Sequence, residues 1–372
     1  MSEKSYTFVR FYLYAMRKST LILFACAICF SLCAEVLERS VLYRSVDQHG
    51  DSLTVSGRLM VPQDSTPKGI FLLPHYTIFS NSEAPSNRPT HDARALCNEY
   101  VVLEPDYVGF GVTADRVHPY LNGDLAARNT VDLYLAMLPV LDSMALDIPL
   151  DSVYILGFSQ GGATAVWTLK LIEEEYADRI HVICCFAGGG PYDVASTYDE
   201  SLSSTHYPMP MNIPILIVGT SVAYDLDLQQ DYFFTPALKR AYAKWIEPKN
   251  VSPIDLYLRM PNHRLRHWLT RQAMDKSLPE TQRLYSGLLR SSLVHYPITE
   301  GDTLTVLPEW TPQSPMYIFH STTDDVSPFR NAQHLQRRYA DCPNITWDFG
   351  EYGHHIPSAR IFLAHVLERL SE

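Results

Sequence analysis

A serine lies at the centre of a Gly-x-Ser-x-Gly motif, Gly157-Phe158-Ser159-Gln160-Gly161. The apolar run 153–157 predicts a strand before it, and the pattern of 163–175 predicts a helix after it. A sharp strand-to-helix turn would lift the Ser159 hydroxyl above the sheet edge, and the two glycines remove side chains that would collide there. The helix N-terminus would present backbone N–H groups to developing negative charge. This context predicts that Ser159 is a nucleophile.

A serine hydroxyl is a weak nucleophile until a base takes its proton, and the base needs an orienting acid. Two carboxylates, Asp324 and Asp325, lie in the turn that follows the apolar run 316–320. If that run is a strand, both stand at its carboxyl end. The residues alone leave open which of the two is the acid.

Two adjacent histidines follow the next apolar run, 345–349, in a predicted loop before the last helix. We assign His354, directly after Gly353, as the base, with His355 as the alternative. Either histidine alone would more often be structural. Their placement at a predicted strand end, in the same chain as Ser159, makes the assignment specific.

The elements that must position these residues alternate along the chain. Short apolar runs at the following positions are separated by helical patterns: 69–73, 101–104, 153–157, 181–186, 316–320 and 345–349. Such alternation predicts an α/β fold with a mostly parallel sheet and helices on both faces. A hairpin pattern over 41–46 and 53–61 adds antiparallel strands at the N-terminal side. Open sheets of this class place their ligands at the carboxyl ends of the strands.

The alternation is lost between about 194 and 312, which is rich in Pro, Tyr, Leu and Arg. We interpret 194–312 as an inserted, mainly helical cap between two parts of one core, 35–193 and 313–372. Helical patterns within it lie at 236–245, 253–258 and 278–293. The short apolar run 213–218 fits a strand or a buried helix equally well.

Together these features resemble the α/β-hydrolases, and more narrowly their secretory lipase and esterase branch, over nearly all of the chain between 35 and 372 outside the cap. The resemblance rests on the Ser159 motif and on four further segments: Leu73–Thr77, Glu104–Gly111, His118–Leu121 and Ala187–Asp193. The order Ser, Asp, His along the chain is also that of the α/β-hydrolases, unlike the orders of trypsin-like and subtilisin-like enzymes. By analogy with the Gly-x-x-Asp turn of such hydrolases, the resemblance implies Asp324 as the acid.

The resemblance also implies an oxyanion hole. In such enzymes the loop after the third strand usually reads His-Gly and supplies one backbone N–H. Here Tyr76 follows His75, where glycine is usual, so Tyr76 and Thr77 are both candidate donors beside Gln160. Because a backbone donor survives a change of side chain, this departure concerns specificity more than catalysis.

Three aromatic residues are candidates for the substrate pocket. His75, Tyr107 and Tyr120 lie in segments expected at the carboxyl edge of the sheet, as does His118. The alternative for each is loop packing and hydrogen bonding.

Composition excludes several other classes of protein. The formal net charge is −11 with no long Lys/Arg run, so nucleic acid is not expected as a partner. His263 and His267 are four apart but lack the glutamate of the zinc motif, and no dinucleotide or phosphate-binding glycine motif is present. We therefore expect neither a metal nor a cofactor. Cys97, Cys184, Cys185 and Cys342 predict free thiols more than a disulfide framework.

The first 34 residues have the pattern of an export signal. Positively charged Arg17 and Lys18 precede the apolar run 21–32, which is short for a membrane span and typical of a secretory signal. Residues 1–15 would be an upstream extension if Met16 is the true start. An uncleaved anchor, or a lipid on Cys26, is the alternative to cleavage. We expect a periplasmic or extracellular protein.

These observations predict a secreted serine hydrolase that cleaves carboxylic esters through an acyl-enzyme formed on Ser159. An apolar cap suits acyl chains and transient contact with a lipid interface. A serine peptidase, a carbohydrate deacetylase and a non-catalytic binding protein remain alternatives. The natural substrate, its acyl length and the oligomeric state are left open.

Overall fold

The computed structural model describes residues 35–294, 297–300, 303–306 and 310–372. The predicted signal segment 1–34 lies outside the described residues. An eight-stranded sheet with the order β1-β2-β4-β3-β5-β6-β9-β10 forms the core. Its strands are β1 (Val36–Val46), β2 (Ser52–Pro62), β3 (Ile70–Leu72), β4 (Val101–Pro105), β5 (Ser152–Phe158), β6 (His181–Gly188), β9 (Met316–Ser321) and β10 (Ile345–Gly350). Strands β7 (Pro297–Glu300) and β8 (Thr303–Val306) form a separate antiparallel pair.

The direction of the strands follows their connections. β1 and β2 pair as an antiparallel hairpin, and β2 pairs antiparallel to β4. Every other pair in the large sheet is parallel, because helices return the chain between them. The predicted α/β-hydrolase fold, with antiparallel strands at the N-terminal side, is confirmed.

Helices cover both faces of the sheet. Buried side chains of α2 (Gly123–Ser143), α3 (Gln160–Glu175) and α11 (Phe329–Arg338) pack in one apolar cluster. Those of α1 (His91–Leu96) and α12 (His355–Ser371) pack in another. Because both faces are covered, strands such as β5 read as nearly continuous apolar runs. No helix in the described ranges is both long and apolar enough to cross a membrane.

A run of helices separates β6 from β9, although these strands are neighbours in the sheet. We call residues 194–294 the helical insertion. Its helices are α4 (Val194–Ser203), α5 (Asn212–Ala223), α6 (Gln230–Phe233), α7 (Pro236–Ala241), α8 (Pro253–Arg259), α9 (Leu265–Trp268) and α10 (Pro279–Arg290), with a π-helical turn at Tyr242–Ile246. The ambiguous run 213–218 lies in α5. The insertion has its own apolar cluster, which also includes Phe79, Tyr120 and Val326 from the core.

Lys249 connects the helical insertion to the core. Its Nζ donates hydrogen bonds to three backbone carbonyl oxygens of one core loop, Gly109 O at 2.5 Å, Ala114 O at 3.0 Å and Arg116 O. The backbone carbonyl of Lys249 in turn accepts from Asn81 N at 2.7 Å. The Lys249 ammonium group therefore supplies a hydrogen-bond donor to three carbonyl oxygens of this loop.

We expect Lys249→Met to lower the free energy of unfolding by about 1–3 kcal/mol, because three carbonyl acceptors lose a charged donor. Urea denaturation followed by circular dichroism measures this. Lys68→Met is the matched control, since Lys68 makes an exposed ion pair with Glu99 worth about 1 kcal/mol at most. Equal destabilisation by the two changes would contradict the role of Lys249.

Candidate active site

Ser159 occupies the turn between β5 and α3 with a strained backbone, φ 60° and ψ −125°. The turn is sharp because the neighbouring chain segments almost touch. A Cβ on Gly157 would lie 2.1 Å from Gly161 O, and one on Gly161 would lie 2.2 Å from Pro74 O. Only glycine therefore fits at the two positions, as the motif predicts. The turn places the Ser159 hydroxyl at the carboxyl end of β5, beside the loop that contains Pro74.

His355 contacts both partners expected of a base. Its Nε2 lies 2.8 Å from Ser159 Oγ, and its Nδ1 lies 2.6 Å from Asp324 Oδ2. The ring is buried at 4% exposure and packs against Phe158, with ring centroids 5.0 Å apart. Since the carboxylate can only accept, Nδ1 carries the proton and Nε2 is free to accept one from Ser159.

The structure contradicts the predicted base, because the side chain of His354 does not contact Ser159. Its side chain is 71% exposed, and its Nδ1 lies 3.3 Å from Asp325 Oδ2. The reason is local: Gly353 turns the chain with φ +84°, and His354 is the cap before α12. The first residue inside the helix, His355, is therefore the one that faces Ser159. This was the alternative that the sequence left open.

Asp324 sits in the tight turn after β9, as predicted, and accepts hydrogen bonds from Val326 N at 2.9 Å and Ser327 N at 2.7 Å. Burial alone would raise the pKa of this carboxyl. The charge and hydrogen bond of His355, together with His320 and the Val326 N–H, outweigh burial and hold the pKa of Asp324 below its usual value. Asp325 instead accepts from His355 N at 3.2 Å and supports the start of α12.

The loop after β3 lies against the start of α3. Tyr76 and Thr77 line the same cavity as Ser159 and His355. Thr77 Oγ1 lies 2.7 Å from Tyr120 OH, which fixes the loop against the segment after β4. The first N–H groups of a helix have no partner within it, so the backbone of Gln160 offers a donor at the other side of Ser159.

Sequence reasoning missed a hydrogen-bonded pair beside Ser159. His118 Nδ1 lies 2.7 Å from Val108 O and so carries the proton, while His118 Nε2 lies 2.9 Å from Gln160 Nε2 and accepts from it. Burial lowers the pKa of His118 to about 3, so the ring stays neutral. The pair fixes the Gln160 side chain next to Ser159. The segment His118–Leu121 is one of those that carry the resemblance, but no spacing rule pairs His118 with Gln160.

Two cavities meet at Ser159. The larger one, about 390 Å³, is mostly apolar and is lined by residues that include Tyr76, Phe158, His355, Ile356 and Leu363. The smaller one, about 40 Å³, extends under the helical insertion and includes Tyr120 among its lining residues. Ser159, Asn212 and Val326 line both.

The three predicted pocket residues separate into two groups. Tyr120 lines the smaller cavity. His75 and Tyr107 lie outside both cavities, which corrects the prediction, because they are buried against each other with ring centroids 4.2 Å apart. His75 Nδ1 lies 2.6 Å from Tyr76 O. The buried His75 and Tyr107 rings therefore support the backbone of the loop after β3 and do not face the cavities.

The fold and the Ser159, His355 and Asp324 geometry together define an α/β-hydrolase. A profile of the family described as "Secretory lipase" matches residues 92–359, which is more than half of the chain. The chain belongs to the secretory lipase family.

Relatives of known name agree with this assignment. The chain is 24% identical over 323 residues to secreted triacylglycerol lipase LIP3 of Malassezia globosa, covering 81% of this chain and 63% of that protein. It is 22% identical over 250 residues to the LIP3 of Malassezia restricta, covering 65% of this chain and 46% of that one. The chain thus spans less than two thirds of the length of either relative.

Solved structures share the fold. The rice cell wall degrading esterase LipA from Xanthomonas oryzae superimposes with a TM-score of 0.72 at 22% identity, covering 91% of this chain and 88% of that one. Candida antarctica lipase A superimposes with a TM-score of 0.61 at 16% identity, covering 89% and 81%.

Proposed function

We propose that the protein is a secreted serine hydrolase that cleaves carboxylic esters of apolar substrates. The observation that carries this proposal is the continuous chain of hydrogen bonds from Ser159 through His355 to Asp324, at the edge of a mostly apolar cavity. Family membership and relatives named as secreted lipases support ester hydrolysis and export.

In the proposed first step, His355 Nε2 takes the proton of Ser159 Oγ as the oxygen attacks the ester carbonyl. The Gln160 N–H and the N–H of Tyr76 or Thr77 stabilise the negative charge on the carbonyl oxygen. The bond to the alcohol then breaks, and His355 returns the proton to the leaving oxygen. The product is an ester between the acyl group and Ser159.

Water completes the reaction. His355 takes a proton from the water as its oxygen attacks the acyl-enzyme, and then returns a proton to Ser159 Oγ as the acid leaves. Asp324 stays ionised because its pKa is lowered, so it stabilises the charged form of His355 that both steps require.

Hydrolysis of p-nitrophenyl butyrate tests the proposal. We expect turnover by the protein as it exists, complete inhibition by the serine-directed reagent paraoxon, and a diethylphosphoryl mass increase on the peptide that contains Ser159. The Ser159→Ala variant is the blank for both readings. Turnover that persists after full labelling, or a label on another residue, would refute the assignment.

An exposed apolar patch beside the larger cavity supports contact with a lipid surface. Ile254 and Leu258 lie four apart on α8 and are 73% and 68% exposed. Pro253, which precedes them, lines the larger cavity, as does Ile356, which is itself 66% exposed. We propose that this patch, Ile254, Leu258 and Ile356, meets the surface of an aggregated substrate.

We expect the double change Ile254→Asp and Leu258→Asp to lower the rate on emulsified tributyrin by about fivefold or more, because charges would enter the lipid interface. Hydrolysis of dissolved p-nitrophenyl butyrate should remain unchanged. Leu42→Asp, at an exposed position on β1, is the matched control and should leave both rates unchanged. An equal loss on both substrates would contradict an interfacial role.

A further inference from the structure

The two cavities at Ser159 differ in which catalytic groups they reach. Ser159 lines both of them, whereas His355 lines only the larger one. Asn212 and Val326 stand at the junction, because each lines both cavities. An ester bound at Ser159 therefore has two distinct places for its two halves.

The chemistry assigns the halves, provided that the proposed ester hydrolysis holds. When the carbon–oxygen bond breaks, the alcohol oxygen must receive a proton from His355 Nε2. The alcohol therefore lies on the side of His355, in the larger cavity. The acyl group stays bonded to Ser159 Oγ and must extend into the smaller cavity.

The smaller cavity limits the size of that acyl group. A water-sized group needs about 10–15 Å³ of such space, so about 40 Å³ holds three or four. Buried side chains of the helical insertion, among them Ile213 and Leu216, surround this space. A chain of eight or more carbons would have to displace them.

Polar side chains form part of the lining of the smaller cavity. Thr197, Ser201 and Asn212 are among the residues that line it. The larger cavity, by contrast, is mostly apolar and about 390 Å³ in volume.

We propose that the enzyme is specific for esters that join a short acyl group, of two to four carbons, to a bulky apolar alcohol. The smaller cavity selects the acyl group, and the larger cavity receives the alcohol. This specificity differs from that expected of an enzyme whose apolar cavity receives a long fatty acyl chain.

A series of 1-naphthyl esters tests the proposal, because the apolar alcohol stays constant while the acyl group changes from acetate through butyrate and octanoate to palmitate. We expect kcat/KM to fall about 20-fold or more between butyrate and octanoate, since each methylene group that does not fit the smaller cavity costs measurable binding. An octanoate or palmitate value equal to or above that of butyrate would overturn the proposal.

Two matched leucine variants test which of the two cavities selects the acyl group. Leu216 lines the smaller cavity and Leu363 the larger one, and both are 6% exposed. We expect Leu216→Ala to reduce the ratio of kcat/KM for butyrate to kcat/KM for octanoate about fivefold. Leu363→Ala should change the same ratio less than about twofold. The opposite pattern would overturn the assignment of the acyl group. Ile213→Val is the milder variant to use if Leu216→Ala does not fold.

The two proposals fail in different ways. If no naphthyl ester is hydrolysed and paraoxon does not label Ser159, ester hydrolysis is wrong, and the acyl assignment falls with it. If Ser159 is labelled and long acyl chains are preferred, ester hydrolysis stands and the short-acyl proposal alone is wrong.

Discussion

Replacement of His355 by alanine is expected to lower kcat for p-nitrophenyl butyrate by about 10⁴–10⁶-fold, because Ser159 loses the group that takes its proton. No other imidazole lies within hydrogen-bond distance of Ser159 Oγ among the described residues. KM should change far less, since both cavities remain. Steady-state kinetics measures the loss, and active-site labelling by paraoxon should slow in parallel.

His354→Ala is the matched control one residue earlier. The side chain of His354 is 71% exposed and contacts Asp325, so its loss should change kcat by about threefold at most. Thermal unfolding of both variants checks that α12 still forms. A larger loss from His354→Ala than from His355→Ala would restore the assignment made from the sequence.

The position of Ser159, the proposed nucleophile, could be predicted because it is determined locally. Gly157 and Gly161 are required by close backbone contacts, and the strand and helix patterns on either side identify the turn. The choice of Asp324 over Asp325 came from the resemblance, since both carboxylates lie in the turn after β9 and the residues alone do not separate them. The predicted base lies one residue before the histidine that contacts Ser159, because the choice depends on where α12 begins after Gly353, and a helix boundary is the least certain feature of a sequence.

The helical insertion could be located but not described. Its boundary is visible in the sequence as a loss of the strand–helix alternation. The run 213–218 is helical and packs in the apolar cluster of the insertion, and its short apolar pattern alone does not distinguish this helix from a strand. Asn212, at the start of that helix, lines both cavities, and no sequence spacing predicts this position. The hydrogen bonds of Lys249 and of His118 likewise join residues from about 40 to 140 positions apart.

The second large effect is that of Asp324→Asn. We expect this substitution to lower kcat by about 10⁴-fold. Val326 N and Ser327 N both donate to Asp324 Oδ1, so an asparagine keeps its oxygen there. Its NH₂ group then faces His355 Nδ1 and can only donate. His355 would carry its proton on Nε2 and could no longer accept the proton of Ser159.

Asp325→Asn separates this tautomer effect from simple loss of charge near the site. Asp325 accepts from His355 N at 3.2 Å, and an amide oxygen can accept the same bond. We therefore expect kcat to fall less than about tenfold in this variant. Comparable losses in the two variants would show that the negative charge of the turn matters more than the hydrogen-bond geometry of Asp324. A wide difference between them would instead place the effect on the proton of His355, because both variants remove one negative charge from the same turn and only Asp324 contacts His355 Nδ1.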